Sequence, residues 1–79
     1  MKTNNAVAER IKNLLKEKDI TQYRLALNSG VPHATLSNIM QGTVSDNKLS
    51  TVMQIANGFD MTVSEFLDDE VFRDLAERL

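Results

Sequence analysis

Apolar residues recur along most of this chain at helical spacing. Val7, Ile11, Leu14 and Leu15 lie at i, i+4, i+7 and i+8, the stripe of a helix that buries one face. They predict a first helix capped by Asn5 and running to about Lys18, with Asp19 breaking the pattern. Leu25 and Ala26 mark the inward side of a short second helix, Gln22 to Asn28, capped by the hydroxyl of Thr21. Gly30 then stands where the chain must turn sharply, because glycine takes positive φ without a Cβ clash. Val31 follows as an apolar plug, and Pro32 suits the first position of a third helix that runs to Gln41 and stops at Gly42. Leu49, Val52, Met53, Ile55 and Ala56 predict a fourth buried stripe between about Lys48 and Gly58, with Phe59 and Met61 completing the core. Thr62-Val-Ser-Glu65 has the form of a capping box and opens a short fifth helix that buries Val63, Phe66 and Leu67. Last come Val71, Phe72, Leu75 and Leu79 at i, i+1, i+4 and i+8. The acidic run Asp68-Asp69-Glu70 before them and Arg78 near the end suit a helix dipole, so a sixth helix is expected.

The third helix carries the first hint of function. At 100° per residue, His33, Ala34, Ser37, Asn38 and Gln41 fall in one arc, while Leu36, Ile39 and Met40 fall opposite with Thr35 at their edge. The outward arc holds no acidic and no bulky apolar side chain. Small, neutral hydrogen-bonding groups of this kind can approach base edges in a DNA major groove. Any amphipathic helix has a polar side, however, and on this evidence alone a solvated face explains the arc equally well.

Charge changes the picture. The net charge of −2 argues against a polyanionic partner until its distribution is read. Residues 1–42 hold six basic side chains (Lys2, Arg10, Lys12, Lys16, Lys18, Arg24) against three acidic ones, while residues 43–79 hold three basic against eight acidic. A basic half can meet phosphate while the acidic half faces elsewhere or toward a partner. The basic residues of the first helix are expected to form a solvated face rather than a DNA contact.

The residues Thr21-Gln22…Leu25-Ala26…Gly30-Val31…Thr35-Leu36-Ser37…Ile39…Gly42, and then Leu49…Val52…Ile55-Ala56…Phe59…Val63-Ser-Glu65-Phe66-Leu67, resemble the Xre (lambda-repressor-like) family of helix-turn-helix regulators. The resemblance covers about residues 5–67 and implies an all-α fold of five helices, to which the chain adds the expected sixth. It implies double-stranded DNA binding by a transcriptional regulator, most simply a repressor of phage, mobile-element or host promoters. Gln22 would anchor a phosphate, His33, Ala34, Ser37 and Asn38 would face bases, and Gln41 with the Gly42 amide would lie at the DNA backbone. Thr35 belongs to the same surface. Thr43 stands where the family often has a basic residue, the family's loop proline is absent, and the loop is about one residue longer. Ser45, Asn47 or Lys48 would then serve phosphate, unless Asp46 or Asn47 only caps the fourth helix. Tyr23 reaches either a phosphate through its hydroxyl or a protein partner. Readers this short suit two copies on DNA, with half-sites about 34 Å apart.

Enzymatic chemistry has little support. His33 is the single histidine, no Gly-rich phosphate loop or ligand-spaced His/Asp/Glu cluster appears, and the acidic run at 68–70 reads as a helix start rather than a metal site. Met53 and Met61 read as core fillers. No cofactor is expected. There are no cysteines, no apolar run approaches a membrane span, and the first residues lack a secretory h-region, so the expected setting is the cytoplasm. The expected division is a DNA-binding domain at 1–67 and a C-terminal amphipathic helix at 68–79 that packs on its own domain or on a second copy. An antitoxin-like or other protein-interaction role for the acidic C-terminal half is the alternative.

Overall fold

The structure is a computed structural model and describes residues 3–43 and 47–73. Five helices follow one another: α1 (Thr3–Lys18), α2 (Gln22–Ser29), α3 (His33–Met40), α4 (Leu49–Gly58) and α5 (Val63–Leu67). Residues 70–73 begin a further helical turn. The described residues contain no strand, and the fold is all-α. Lys2, Ser45, Asp46, Leu75, Arg78 and Leu79, named above, lie outside the described residues.

Each of the first four helices ends on a residue in the left-handed region, and this repeated device sets the path of the chain. Gly30 (φ 77°) closes α2, its amide donating to Ala26 carbonyl at 3.0 Å in a single left-handed cap. Gly42 (φ 72°) closes α3: its amide meets Ile39 carbonyl at 3.0 Å and the Thr43 amide reaches Asn38 carbonyl at 3.3 Å, the paired bonds of a Schellman motif. The other two positions are aspartates, Asp19 (φ 54°) after α1 and Asp60 (φ 60°) after α4. Both make the same paired bonds, and the residues that follow, Ile20 and Met61, pack against the core. Aspartate tolerates this conformation better than most side chains, though less well than glycine.

The core sits where α2 packs on α3 and α4, α1 on α3, and α4 on α5. Phe66, Ile11, Leu14, Leu25, Leu36 and Ile55 are fully buried at its centre. Gly58 lets α4 approach α2 closely, since a Cβ there would stand 2.8 Å from Ser29 Cβ and 3.0 Å from Leu25 Cδ1.

Several expectations are corrected. Helix α1 starts at Thr3, so Asn5 lies inside it and does not cap it. Helix α2 extends one residue further, to Ser29, and Pro32 stands at the N-cap of α3 with its carbonyl accepting from the Leu36 amide at 2.9 Å. Leu49 and Met53 are exposed, not buried. On α4 the buried Val52, Ile55, Ala56 and Phe59 centre one arc, and Leu49 and Met53 fall about 70° and 110° from that centre at 100° per residue. Leu67 is exposed for the same reason, one residue and about 100° beyond Phe66 on the five-residue α5.

Arg10 is the largest correction. Instead of standing in solvent, it is 8% exposed. Its Nε donates to Phe66 carbonyl at 2.8 Å, one terminal nitrogen donates to Glu65 carbonyl at 3.2 Å, and the other pairs with Asp69 Oδ1 at 3.1 Å. The last carbonyls of a helix lack intrahelical donors and carry the negative end of its dipole. Arg10 supplies both donors and charge, while its guanidinium also lies 5.9 Å from the Phe66 ring centroid. Asp69 is held in turn, its other oxygen accepting from the Val71 amide at 3.2 Å. Phe72 packs back on Phe66 with centroids 6.0 Å apart and joins the core from its rim.

Candidate nucleic-acid interface

The surface begins with the two-helix element. Thr21 Oγ1 accepts from the Arg24 amide at 3.0 Å, so the cap expected at the start of α2 is present. At the other end Ser29 is buried, and its hydroxyl donates to Ala26 carbonyl at 3.4 Å while accepting from the Val31 amide at 3.2 Å. Together with Gly30, this serine fixes the turn, and Val31 plugs into the core at 3% exposure. The angle between α2 and α3 is therefore set by local hydrogen bonds and one apolar anchor.

Held this way, α3 buries Leu36 and Ile39 and half-buries Met40. His33, Ala34, Thr35, Asn38 and Gln41 are exposed, which brings the expected outward residues onto one face. Ser37 is half-buried on that face because Gln22, in the first turn of α2, leans over it. Gln22 Nε2 donates to Ser37 Oγ at 2.8 Å. Nothing in the spacing announced this bond, which depends on how the two helices cross. Tyr23 is 63% exposed, and its ring lies 6.3 Å from that of His33. The two rings flank an open groove floored by Ala26, Gly30 and Val31.

The far end of α3 is tied off by Thr43, whose hydroxyl donates to Asn38 carbonyl at 3.0 Å. The Gly42 amide donates to Ile39 carbonyl at 3.0 Å, and Gly42 shapes the turn that ends α3. Lys48 is exposed at the N-cap of α4, where no side chain caps the helix. Asn47 does not cap α4 either; its amide oxygen and nitrogen are buried without a hydrogen-bond partner.

The acidic half meets the basic first helix through the Arg10–Asp69 pair. Thr62 and Glu65 form the expected capping box, with Glu65 Oε1 accepting from the Thr62 amide at 2.9 Å and Thr62 Oγ1 accepting from the Glu65 amide at 3.1 Å. The hydrogen bonds from Thr62, with a smaller contribution from Lys18, hold the Glu65 carboxyl below the usual carboxylate range. Among the described residues, no helix is long and apolar enough to cross a membrane.

The arrangement can present a short, uncharged helix to a groove, fixed from behind and flanked by polar residues. Among the described residues, no group of three or more His, Cys, Asp or Glu stands together as a metal site would need. Neither a curated protein nor a solved structure matches the chain at a significant level. A family model, the Cro/C1-type HTH DNA-binding domain, matches residues 10–71. That span holds α2, its turn and α3 entire, and most of the chain: this protein belongs to the family of Cro/C1-type helix-turn-helix DNA-binding domains.

Proposed function

We propose that this protein is a sequence-specific double-stranded DNA-binding repressor that acts as a pair on a two-fold operator. DNA binding in transcription regulation follows from the family. The finer reading rests on one observation, the exposed and uncharged front of α3 set on a buried apolar back. In this reading His33, Ala34, Ser37 and Asn38 meet base edges in the major groove. Gln22, Tyr23, Thr35, Gln41, Thr43 and Lys48 line the phosphates on either side, and Gly42 gives the turn that lets them approach. Base contacts specify and phosphate contacts position, so the two groups contribute differently to affinity.

Pairing is part of the proposal because so short a reading face gives modest specificity per copy. The domain measures 34 × 23 × 21 Å, and half-sites one helical turn apart lie about 34 Å from centre to centre. Two copies therefore fit side by side on one face of the duplex. A segment at 68–79 that helps join them remains part of the proposal, but Phe72 is already engaged with Phe66 and is not its contact. We place the protein in the cytoplasm, where such a duplex is met.

Selection of bound sequences from a random duplex pool tests the reading. The expected product is a palindromic site, bound with an affinity that falls steeply with salt. Recovery of unselected sequence, or binding indifferent to salt, would remove it.

A further inference from the structure

Ser37 and Gln22 stand on the proposed reading surface, yet their mutual bond gives them a property that neither has alone. A serine hydroxyl offers one proton and two lone pairs, and a free serine can meet either a donor or an acceptor on a base edge. Here Gln22 Nε2 donates to Ser37 Oγ at 2.8 Å, which occupies a lone pair from the protein side. Within a helix, a serine often turns its proton back to the carbonyl four residues earlier. Among the described residues, Ser37 makes no such bond and donates to no protein acceptor. Its neighbours on the face, Ala34 and Asn38, are exposed.

We infer that Gln22 sets the hydrogen-bonding polarity of Ser37, so that Ser37 presents its proton to the DNA and selects a base with a major-groove acceptor. The inference rests on the reading of α3 as the base-reading helix. In the major groove guanine presents N7 and O6, thymine O4 and adenine N7, whereas cytosine presents only its N4 donor. A donating Ser37 accepts the first three, favours guanine with its two acceptors, and disfavours cytosine, which can meet only the one lone pair that Gln22 leaves open. Gln22 is thereby a positioning residue acting through Ser37. The second proton of its amide is still available to a phosphate, so one side chain links DNA backbone to base reader.

The substitution that separates this from simple phosphate anchoring is Gln22→Glu. A carboxylate only accepts, so it would draw the Ser37 proton inward and leave lone pairs facing the base. The test is parallel selection from one random duplex pool with the full chain, unaltered and as Gln22→Glu, Gln22→Ala, Ser37→Ala and Gln22→Glu/Ser37→Ala, each checked for helicity by circular dichroism. The unaltered chain should deplete cytosine at one position of each half-site by roughly five- to tenfold, the low end for a side chain–base contact. Gln22→Glu should invert the preference there toward cytosine or adenine, with a general, salt-sensitive loss from its added charge. Gln22→Ala should flatten the preference, and Ser37→Ala should abolish it and make the Gln22→Glu change silent at that position. If the unaltered chain selects a site and the variants return the same base frequencies, the coupling is refuted while base reading stands. If the unaltered chain selects nothing, both fall together.

Discussion

Replacing Arg10 with methionine tests the packing of the fold most sharply. Methionine keeps an apolar stem of similar length and removes the guanidinium fork. The Phe66 carbonyl would lose its 2.8 Å donor at a residue with 0% exposure. An unsatisfied buried carbonyl costs about 1–3 kcal/mol. The Glu65 carbonyl suffers less, because the Asp68 amide still donates to it at 3.3 Å. The Asp69 side chain is 32% exposed and keeps the Val71 amide. Its share belongs with surface ion pairs, below about 1 kcal/mol. The expected loss is therefore about 2–3 kcal/mol, most of it from the carbonyls. That is a large part of the roughly 4–12 kcal/mol that per-residue averages assign to a domain of 79 residues. Urea unfolding followed by circular dichroism would measure it, with Asp69→Asn in parallel. An Arg10→Met variant within about 0.5 kcal/mol of the unaltered chain, the usual range for a surface substitution, would refute the argument. So would an Asp69→Asn loss as large as that of Arg10→Met, since it would assign the energy to the ion pair.

Gly58→Ala should destabilise by about 1–2 kcal/mol in the same experiment: helix propensity favours alanine by about 0.5–1, but overpacking costs typically 1–3. A stabilised variant would show that α4 does not approach Ser29 and Leu25 as closely as the 2.8 and 3.0 Å spacings require. Asp60→Gly relieves a left-handed aspartate and should raise stability by up to about 1 kcal/mol, or a few degrees in Tm, whereas Asp60→Val should lower it clearly. Glu65 titrates below its ordinary value of 4.5 in the folded chain, so its stabilising contribution is complete at neutral pH and is lost as pH falls through that lowered value. Glu65→Gln keeps a capping-box partner without the titration, and its stability should depend less on pH in the acid range; identical acid profiles would disprove the link.

The two-helix element was legible because its determinants are local. Thr21, Gly30 and Gly42 each act on backbone groups within five residues, and a one-dimensional pattern records such events. The capping box at Thr62 is legible for the same reason. Arg10 was not, because its partners Glu65, Phe66 and Asp69 lie 55 to 59 residues away and a basic residue on a helix ordinarily means solvent. Leu49, Met53 and Leu67 misled because counting apolar residues ignores angle, and each sits beyond the edge of its helix's buried arc. On the proposed reading surface, the residue types on α3 were readable, but the bond that joins Gln22 to Ser37 was not. It arises from the crossing of α2 and α3, which no spacing encodes.

The central claim is that α3 reads bases, and Asn38 tests it most directly. Asn38 is exposed on that face, and its carbonyl is tied down by the amide and hydroxyl of Thr43, so its side chain can be removed without disturbing the helix end. Fluorescence-anisotropy titrations would compare the unaltered chain and Asn38→Ala on a selected duplex and on a shuffled one, at matched salt. A lost base contact should weaken binding to the selected duplex by about 1–3 kcal/mol and leave the shuffled duplex nearly unchanged. Equal losses on both duplexes would make Asn38 a backbone contact and would contradict the assignment of α3 as the reading helix.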